Sequence, residues 1–374
     1  MRPEWAVDLV DDESRQDAPP TRSRRSWFGW SATSLPIAPV LLLGMLLGPQ
    51  GLHVLTADAL AAVDPALPVA LATLGALLGL VAGFQGSPRR AAGAALLSVG
   101  ATASVVAIGF GVGALAAGES SRASLWVLPM VLGMAAASSL IVPVRRAIDA
   151  SAASTATLEA EALVSVVVGG LLLAFARQGA LLGTLAWFAQ ACIVVAILGV
   201  AGLLLLSKSV ALAERRVFAV ATLLLVGGAA DSLSFSALLG GACAGLLWKA
   251  WGGLSRDSLH SDMLYALHPL IALVLVVAGA RTEVSSISLG LAAAYAVLRT
   301  LGRLTAGAVL ARAQFPASGG AYGLVAPGVF GVALSLNAFR ALGPDMSVAV
   351  SVVVLGTVFS ELTAIFVAAR GARA

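Results

Sequence analysis

Long apolar segments separated by short charged loops recur along the chain from residue 35 onward. A helix needs about 20 apolar residues to cross the hydrocarbon core of a bilayer. The pattern predicts membrane spans at 35–51, 67–84, 91–117, 124–144, 158–176, 180–206, 216–230, 235–251, 263–280, 285–311, 322–341 and 346–368. The predicted fold is therefore an all-α polytopic membrane protein with about 12 transmembrane helices.

The first 34 residues differ from the rest of the chain in composition. They carry several acidic residues, three prolines and a basic cluster at 22–25, followed by aromatic residues at 27–30. Segments with low hydrophobicity and high charge favour disorder, and aromatic side chains favour the membrane interface. We predict a disordered cytoplasmic tail over residues 1–34 that is not cleaved, followed by a transmembrane domain over residues 35–370.

Composition excludes several classes of protein. Hydrophobic residues make up 59% of the chain and charged residues 11%, with a mean hydropathy of +0.96, which excludes a soluble globule. The basic residues are spread over short loops, so we expect a lipid bilayer and no nucleic acid as a partner. Two cysteines and three histidines are scattered, which predicts no metal site and no disulfide framework. Phosphate-binding loops and catalytic motifs are absent from the sequence, so we expect no enzyme and no cofactor.

The distribution of lysine and arginine predicts the orientation. Twelve spans place both termini on the same side of the membrane, and most basic loop residues fall on that side. The opposite side receives only Arg122, Arg177, Arg281 and Arg340. Because cytoplasmic loops are enriched in Lys and Arg, both termini are expected in the cytoplasm. The composition, without organellar targeting features, favours a bacterial inner (plasma) membrane.

Two predicted spans contain helix-breaking residues. Pro143 follows the run GMAAASS in the span 124–144, while Pro327 and Gly328 occur within the span 322–341. Proline removes a backbone donor and glycine permits close approach of chains, so these are candidates for broken helices. Both residues are also frequent in continuous membrane helices, which is the alternative interpretation. Helices three to five and ten to twelve have opposite orientations, as an inverted-topology repeat requires.

The segment 35–55, LPIAPVLLLGMLLGPQGLHVL, resembles the opening signature of the monovalent cation:proton antiporter (sodium/hydrogen exchanger) superfamily. Further segments are similar to that family in the correct order: ALPVALATLGALLGLVAGFQ, DSLSFSALLGGACAGLLWK, HPLIALVLVVAGARTEV, VLRTLGRLTAGAVLAR, LVAPGVFGVALSL and VLGTVFSELTAIF. The resemblance implies an antiporter-type fold over 35–370 with inverted repeats and two broken crossing helices. It also implies secondary active exchange of a monovalent cation (Na⁺ or K⁺) for protons by alternating access, and a homodimer.

The chain departs from this family at its fifth helix. Relatives carry an Asp there, in an Asn-Asp or Asp-Asp pair that follows a Glu. Aligning Glu161 with that Glu places Ser165 and Val166 at the pair, so the chain resembles a divergent member without the usual Asp. The titrating role would then fall to Glu161 or Glu361. The alternatives are a degenerate antiporter fold with a structural or regulatory role and no cation transport, or an anion or organic-acid carrier.

Arg299 and Arg303 are the basic residues deepest in a predicted span. They are four residues apart and share a helix face that should look into the protein. At 1.5 Å per residue, Arg303 lies about 12 Å from the cytoplasmic end of its helix, within reach of Glu161. We therefore predict an embedded Arg303–Glu161 pair. In the alternative, Arg303 snorkels to the headgroups and Arg299 pairs with backbone carbonyls or Glu161.

The remaining polar candidates are less specific. If the helices cross as the resemblance implies, small polar side chains line the crossing: Ser138, Ser139, Ser165, Ser335 and Asn337. Serine in membrane helices also bonds to its own backbone, which is the alternative. Glu159 is interpreted either as an exposed first-turn residue or as part of a site. Asp231 is expected to cap the helix that follows it, with ion binding as the alternative.

Overall fold

The computed structural model describes residues 37–81, 88–118, 123–138, 152–208, 212–251, 255–313 and 328–371. Within these ranges the chain is helical and contains no β-strand. The helices are α1 (Ile37–Leu47), α2 (Ala57–Val63), α3 (Leu67–Val81), α4 (Pro88–Ala116), α5 (Leu128–Ala137), α6 (Ala152–Gln178), α7 (Leu181–Lys208), α8 (Leu212–Ser232), α9 (Ala237–Trp251), α10 (Ser255–Ala280), α11 (Ser286–Arg312), α12 (Val329–Leu342) and α13 (Ser347–Gly371). Each of the twelve predicted spans overlaps one of these helices.

Short elements extend three of the helices. A π-helical turn at Ala123–Val127 precedes α5, and 3₁₀ turns at Asp64–Ala66 and Pro344–Met346 precede α3 and α13. The short helix α2 was not predicted. It begins because the Thr56 hydroxyl accepts a hydrogen bond from the backbone N–H of Ala59 at 3.2 Å, which satisfies one free donor of its first turn.

Many of the described helices are apolar, and some are also long enough to span a membrane. Six described segments are long and apolar enough to cross a bilayer: 57–81, 92–116, 157–178, 181–206, 286–312 and 344–363. Five shorter apolar helices accompany them. Large apolar side chains such as Ile193 and Ile197 are exposed along α7, which water would not tolerate over so much surface but lipid does. The chain is an integral, multi-pass membrane protein.

The helices pack as two bundles. The panel bundle consists of α1, α3, α7, α8, α9 and α10, and the site bundle consists of α4, α5, α6, α11, α12 and α13. Within the panel bundle α3 packs most closely on α9, and within the site bundle α4 packs on both α5 and α11.

Glycine allows the close approach of α3 and α9. Gly75 and Gly79 on α3 and Gly241 and Gly245 on α9 are each four residues apart, so each pair lies on one helix face. A Cβ atom on Gly241 would lie 1.8 Å from the carbonyl oxygen of Ala72. Small residues at this spacing let helix backbones touch, and van der Waals packing then replaces the hydrophobic effect that lipid cannot supply.

Two short helices, α5 and α12, end and begin near the predicted breaks. α5 ends at Ala137, and Ser138 is extended with φ −85° and ψ 125°. α12 begins at Val329, directly after Gly328, which is extended with φ −101° and ψ 150°. The two helices meet where a Cβ on Gly331 would lie 2.4 Å from the carbonyl oxygen of Ala135. Ser139, Pro143 and Pro327 lie outside the described residues.

Two predictions about acidic residues are wrong. Glu159 is not in a first turn and is not exposed, because α6 begins at Ala152 and packing against the bundle buries its side chain. Asp231 does not cap α9, since it lies within the last turn of α8. The Ser236 hydroxyl takes that role and accepts a hydrogen bond from the N–H of Leu239 at 3.2 Å.

Candidate functional site

A fully buried ion pair joins α6 to α11. Arg303 Nη1 lies 2.9 Å from Glu161 Oε2, and the two side chains are 1% and 0% exposed. The predicted Arg303–Glu161 pair is therefore present. Snorkelling is wrong for Arg303, because packing by α4 and α5 encloses its guanidinium group within the site bundle. Ionised groups buried this deeply in a membrane protein need such a partner.

Arg303 also joins the pair to two more helices. Its Nη1 atom lies 3.3 Å from Ser98 Oγ on α4 and 3.3 Å from the carbonyl oxygen of Ala137, the last residue of α5. The last carbonyls of a helix have no N–H partner in that helix, so the end of α5 supplies a free acceptor inside the bundle. The helix break thus creates part of the polar environment of the arginine.

Several polar atoms of the pair and of the residue after α5 make no hydrogen bond in the described part of the chain. These are Glu161 Oε1, Ser138 Oγ, and the Nε and Nη2 atoms of Arg303, all of them buried. A buried polar atom without a partner costs about 1–3 kcal/mol. An acceptor oxygen, a hydroxyl and two donors therefore offer bonds to a small polar ligand or to water.

Arg299 adds a second positive charge to this cluster. It lies one helical turn before Arg303, is 1% exposed, and interacts electrostatically with Tyr295, Arg303 and Glu161. The aromatic ring of Tyr295 is buried beside it and lies 6.5 Å from the ring of Phe110 on α4. The face of α11 shared by both arginines looks into the protein, as predicted.

The positions where the family carries its Asp provide no charged ligand. Val166 is buried in the apolar core, and the Ser165 hydroxyl donates to the carbonyl oxygen of Glu161 at 2.8 Å. This is the backbone bond that serine usually makes in a membrane helix. Glu161 is therefore the carboxylate that this stretch of α6 brings to the arginine.

The structure does not bring the other polar candidates to the ion pair. Ser335 donates to the carbonyl oxygen of Val332 at 2.8 Å, and Asn337 Nδ2 donates to Ser236 Oγ at 3.0 Å. Glu361 Oε2 accepts a hydrogen bond from the backbone N–H of Ala38 at 2.7 Å. Glu361 thus stabilises the first turn of α1, where backbone donors lack helical partners.

Sequence reasoning missed two partners of Arg303. Ser98 is a small polar residue in an apolar helix, but nothing in the sequence relates it to α11. The carbonyl of Ala137 has no side-chain signal, because it becomes available only where α5 ends. Within the described residues, His, Cys, Asp and Glu form no group that would hold a metal ion, and Cys192 and Cys243 are free thiols.

Comparisons with known proteins bear on the fold. No protein-family model and no curated protein matches the sequence. Among solved structures, the chain is similar to the sodium proton antiporter MjNhaP1 from Methanocaldococcus jannaschii, with a TM-score of 0.50 and 14% sequence identity. The match covers 87% of this chain and 89% of that chain. At this identity the likeness is one of fold, and it extends over nearly the whole length of both chains.

Proposed function

We propose that the chain is a secondary active transporter that exchanges a monovalent cation, Na⁺ or K⁺, for protons by alternating access. The observation that carries the proposal is the buried Glu161–Arg303 pair at the C-terminal end of α5, in which Glu161 Oε1 makes no hydrogen bond to any residue that the structure describes. A carboxylate at such a position is a functional candidate by default. The antiporter fold supports the assignment.

Glu161 is the group at which proton and cation compete. Its Oε2 atom is held by Arg303, while Oε1 is available to a ligand. When a proton binds, the carboxyl group becomes neutral and its attraction to Arg303 weakens. A cation that binds the carboxylate competes with Arg303 in the same way. One carboxylate then carries one proton or one cation, and this competition couples the two fluxes.

Arg303 is able to release Glu161 without losing all of its partners. Its Nη1 atom also has Ser98 Oγ and the Ala137 carbonyl oxygen within 3.3 Å. Hydrogen bonds to a charged donor are stronger than those between neutral groups, so these two acceptors stabilise the guanidinium group while Glu161 is occupied. The positive charge of Arg303 also limits how tightly a cation is held, which favours its release.

We further propose the orientation and surroundings of the transporter. Both termini lie in the cytoplasm, because basic residues concentrate on the side of the termini. The protein resides in a bacterial inner membrane, which its composition favours. A homodimer is proposed by resemblance to the antiporters. The tail over residues 1–34 lies outside the described residues, and its disorder stays a prediction from composition.

The test is a proton-flux assay in proteoliposomes. Vesicles with an acidic interior and a quenched pH dye receive Na⁺, K⁺ or Li⁺, and recovery of fluorescence reports proton exit. Wild-type protein is expected to give cation-dependent recovery, and Glu161→Gln is expected to abolish it. Glu361→Gln is the matched control, because it neutralises an intramembrane carboxylate that bonds to α1 and not to Arg303.

The outcomes separate the proposal from its alternatives. Folded wild-type protein that produces no flux with any of the three cations would refute cation exchange. Glu161→Gln protein that retains full flux would refute the assignment of the carboxylate. Recovery that depends on the anion of the added salt would instead indicate an anion carrier, which the two buried arginines of α11 would suit.

A further inference from the structure

The side chain of an arginine on α12, in the site bundle, bonds to residues of the panel bundle. Arg340 Nη2 lies 2.6 Å from Asp231 Oδ1, at the end of α8. Its Nη1 atom donates to the backbone carbonyl oxygen of Asp64 at 2.7 Å, in the 3₁₀ turn before α3. Arg340 therefore bonds to two separate elements of the panel bundle at the end of the molecule where α8 and α12 terminate. We call this end the distal end.

The other arginines at the distal end hold the same region of α12 differently. Arg281, which follows α10, pairs with Asp64 and lies over the ring of Phe339 at 4.8 Å. Arg177, in the last turn of α6, donates to the carbonyl oxygen of Ala341 at 3.3 Å. The bond of Arg177 stays within the site bundle, whereas the bonds of Arg340 join the two bundles.

A small polar crevice, which Arg340 helps to line, lies between the bundles. Its volume is about 40 Å³, which is room for one or two water molecules. The panel bundle lines it with Pro68, Asp231 and Ser234, and α12 lines it with Asn337 and Arg340. Among its polar lining residues Asn337 is buried, whereas the side chain of Arg340 is 19% exposed and that of Asp231 51%. The partly exposed Arg340–Asp231 pair and the buried Asn337 therefore line the same crevice.

We propose that Arg340 is a positioning residue that latches the two bundles together at the distal end and closes this crevice. The proposal deepens the proposed function, since alternating access requires the site bundle to move against the panel bundle. Opening of the distal end then requires Arg340 to leave both Asp231 and the Asp64 carbonyl. Because the pair is partly exposed, each bond is weak enough to break reversibly.

The latch is tested by the accessibility of the buried residue that lines the crevice. A reporter protein carries Asn337→Cys with Cys192→Ala and Cys243→Ala, and is held in lipid nanodiscs so that reagent reaches both faces. The rate of labelling by an uncharged maleimide measures opening of the crevice. Adding Arg340→Gln is expected to raise the labelling rate about tenfold. The reason is that losing a hydrogen bond to a charged group changes the equilibrium constant between the closed and open crevice by a factor of about ten.

The matched control is Arg177→Gln in the same reporter. It removes an arginine of the same end whose bond does not cross between the bundles, so the labelling rate should stay at the reporter's value. A double variant, Asp231→Arg with Arg340→Asp, should lower the labelling rate below that of Arg340→Gln without reaching the reporter's value, because the ion pair is restored while the bond to the Asp64 carbonyl is lost. Equal rates for the reporter with and without Arg340→Gln would overturn the latch.

A second variant tests the latch if the first one does not fold. If Arg340→Gln does not fold, Asp231→Asn removes the ionic partner but leaves the bond to the Asp64 carbonyl, and labelling should rise about threefold. An unchanged rate in that variant would overturn the proposal. Labelling does not depend on transport. Expected labelling rates in a protein without cation flux would therefore support the latch and refute the proposed function.

Discussion

Neutralising Glu161 should destabilise the protein more than neutralising any other intramembrane carboxylate that the structure describes. Arg303 Nη1 and Glu161 Oε2 are 2.9 Å apart. At an effective dielectric constant of about 20 this distance corresponds to an attraction of about 6 kcal/mol, from which the desolvation of both ions subtracts. Glu161→Gln leaves a buried guanidinium group that cannot lose its proton. We expect the free energy of unfolding to fall by about 3–5 kcal/mol.

The second residue of the pair should behave differently. In Arg303→Met the remaining Glu161 can bind a proton and become neutral, so we expect a smaller loss of about 1–3 kcal/mol. The double variant Glu161→Gln with Arg303→Met removes the stranded charge. It should therefore be more stable than Glu161→Gln alone, because the effects of residues in contact are not additive.

Unfolding in mixed detergent micelles, followed by tryptophan fluorescence, measures these differences. Glu361→Gln serves as the control and should lose about 1 kcal/mol, since its amide oxygen can still accept the hydrogen bond from Ala38. A double variant that loses the sum of the two single effects would show that the two charges do not interact. A loss in Glu161→Gln no larger than the control's would refute the cost assigned to the stranded arginine.

Three further outcomes are expected. In the same micelle assay, Gly241→Ala should lower the free energy of unfolding by about 1–3 kcal/mol, because its Cβ would lie 1.8 Å from the Ala72 carbonyl oxygen. Gly228→Ala is the control and should lose no stability, because its Cβ would have no atom within 4 Å. Ser138→Ala should keep or raise the melting temperature, since its buried hydroxyl makes no hydrogen bond to any described residue. The same variant should lower cation-dependent proton flux, and unchanged flux would remove Ser138 from the site. Trp248→Phe should lower the free energy of unfolding by about 1 kcal/mol, because it removes the hydrogen bond that the indole N–H donates to the carbonyl oxygen of Gly199 on α7 at 3.1 Å. A wild-type melting curve would contradict this.

The sequence was sufficient for every helix except the short α2, and for one long-range contact. Twelve apolar segments predicted twelve spans, because the thickness of the bilayer fixes the length of a helix that crosses it. The Arg303–Glu161 pair was predictable because a charge in a membrane helix needs a partner and few acids were available at its depth. The missing carboxylate at Val166 was also visible in the sequence, and the structure confirms that this position is apolar.

Tertiary packing alone decided which polar groups gather around that pair. Glu361 and Glu161 are both intramembrane acids in the sequence, but helix packing sends Glu361 to the first turn of α1 and Glu161 to Arg303. The Ala137 carbonyl became a ligand of Arg303 because α5 ends there, and a backbone atom leaves no trace in residue identity. Hydrophobic pattern is periodic along one helix and therefore readable from the chain, whereas contacts between bundles depend on how several helices pack at once.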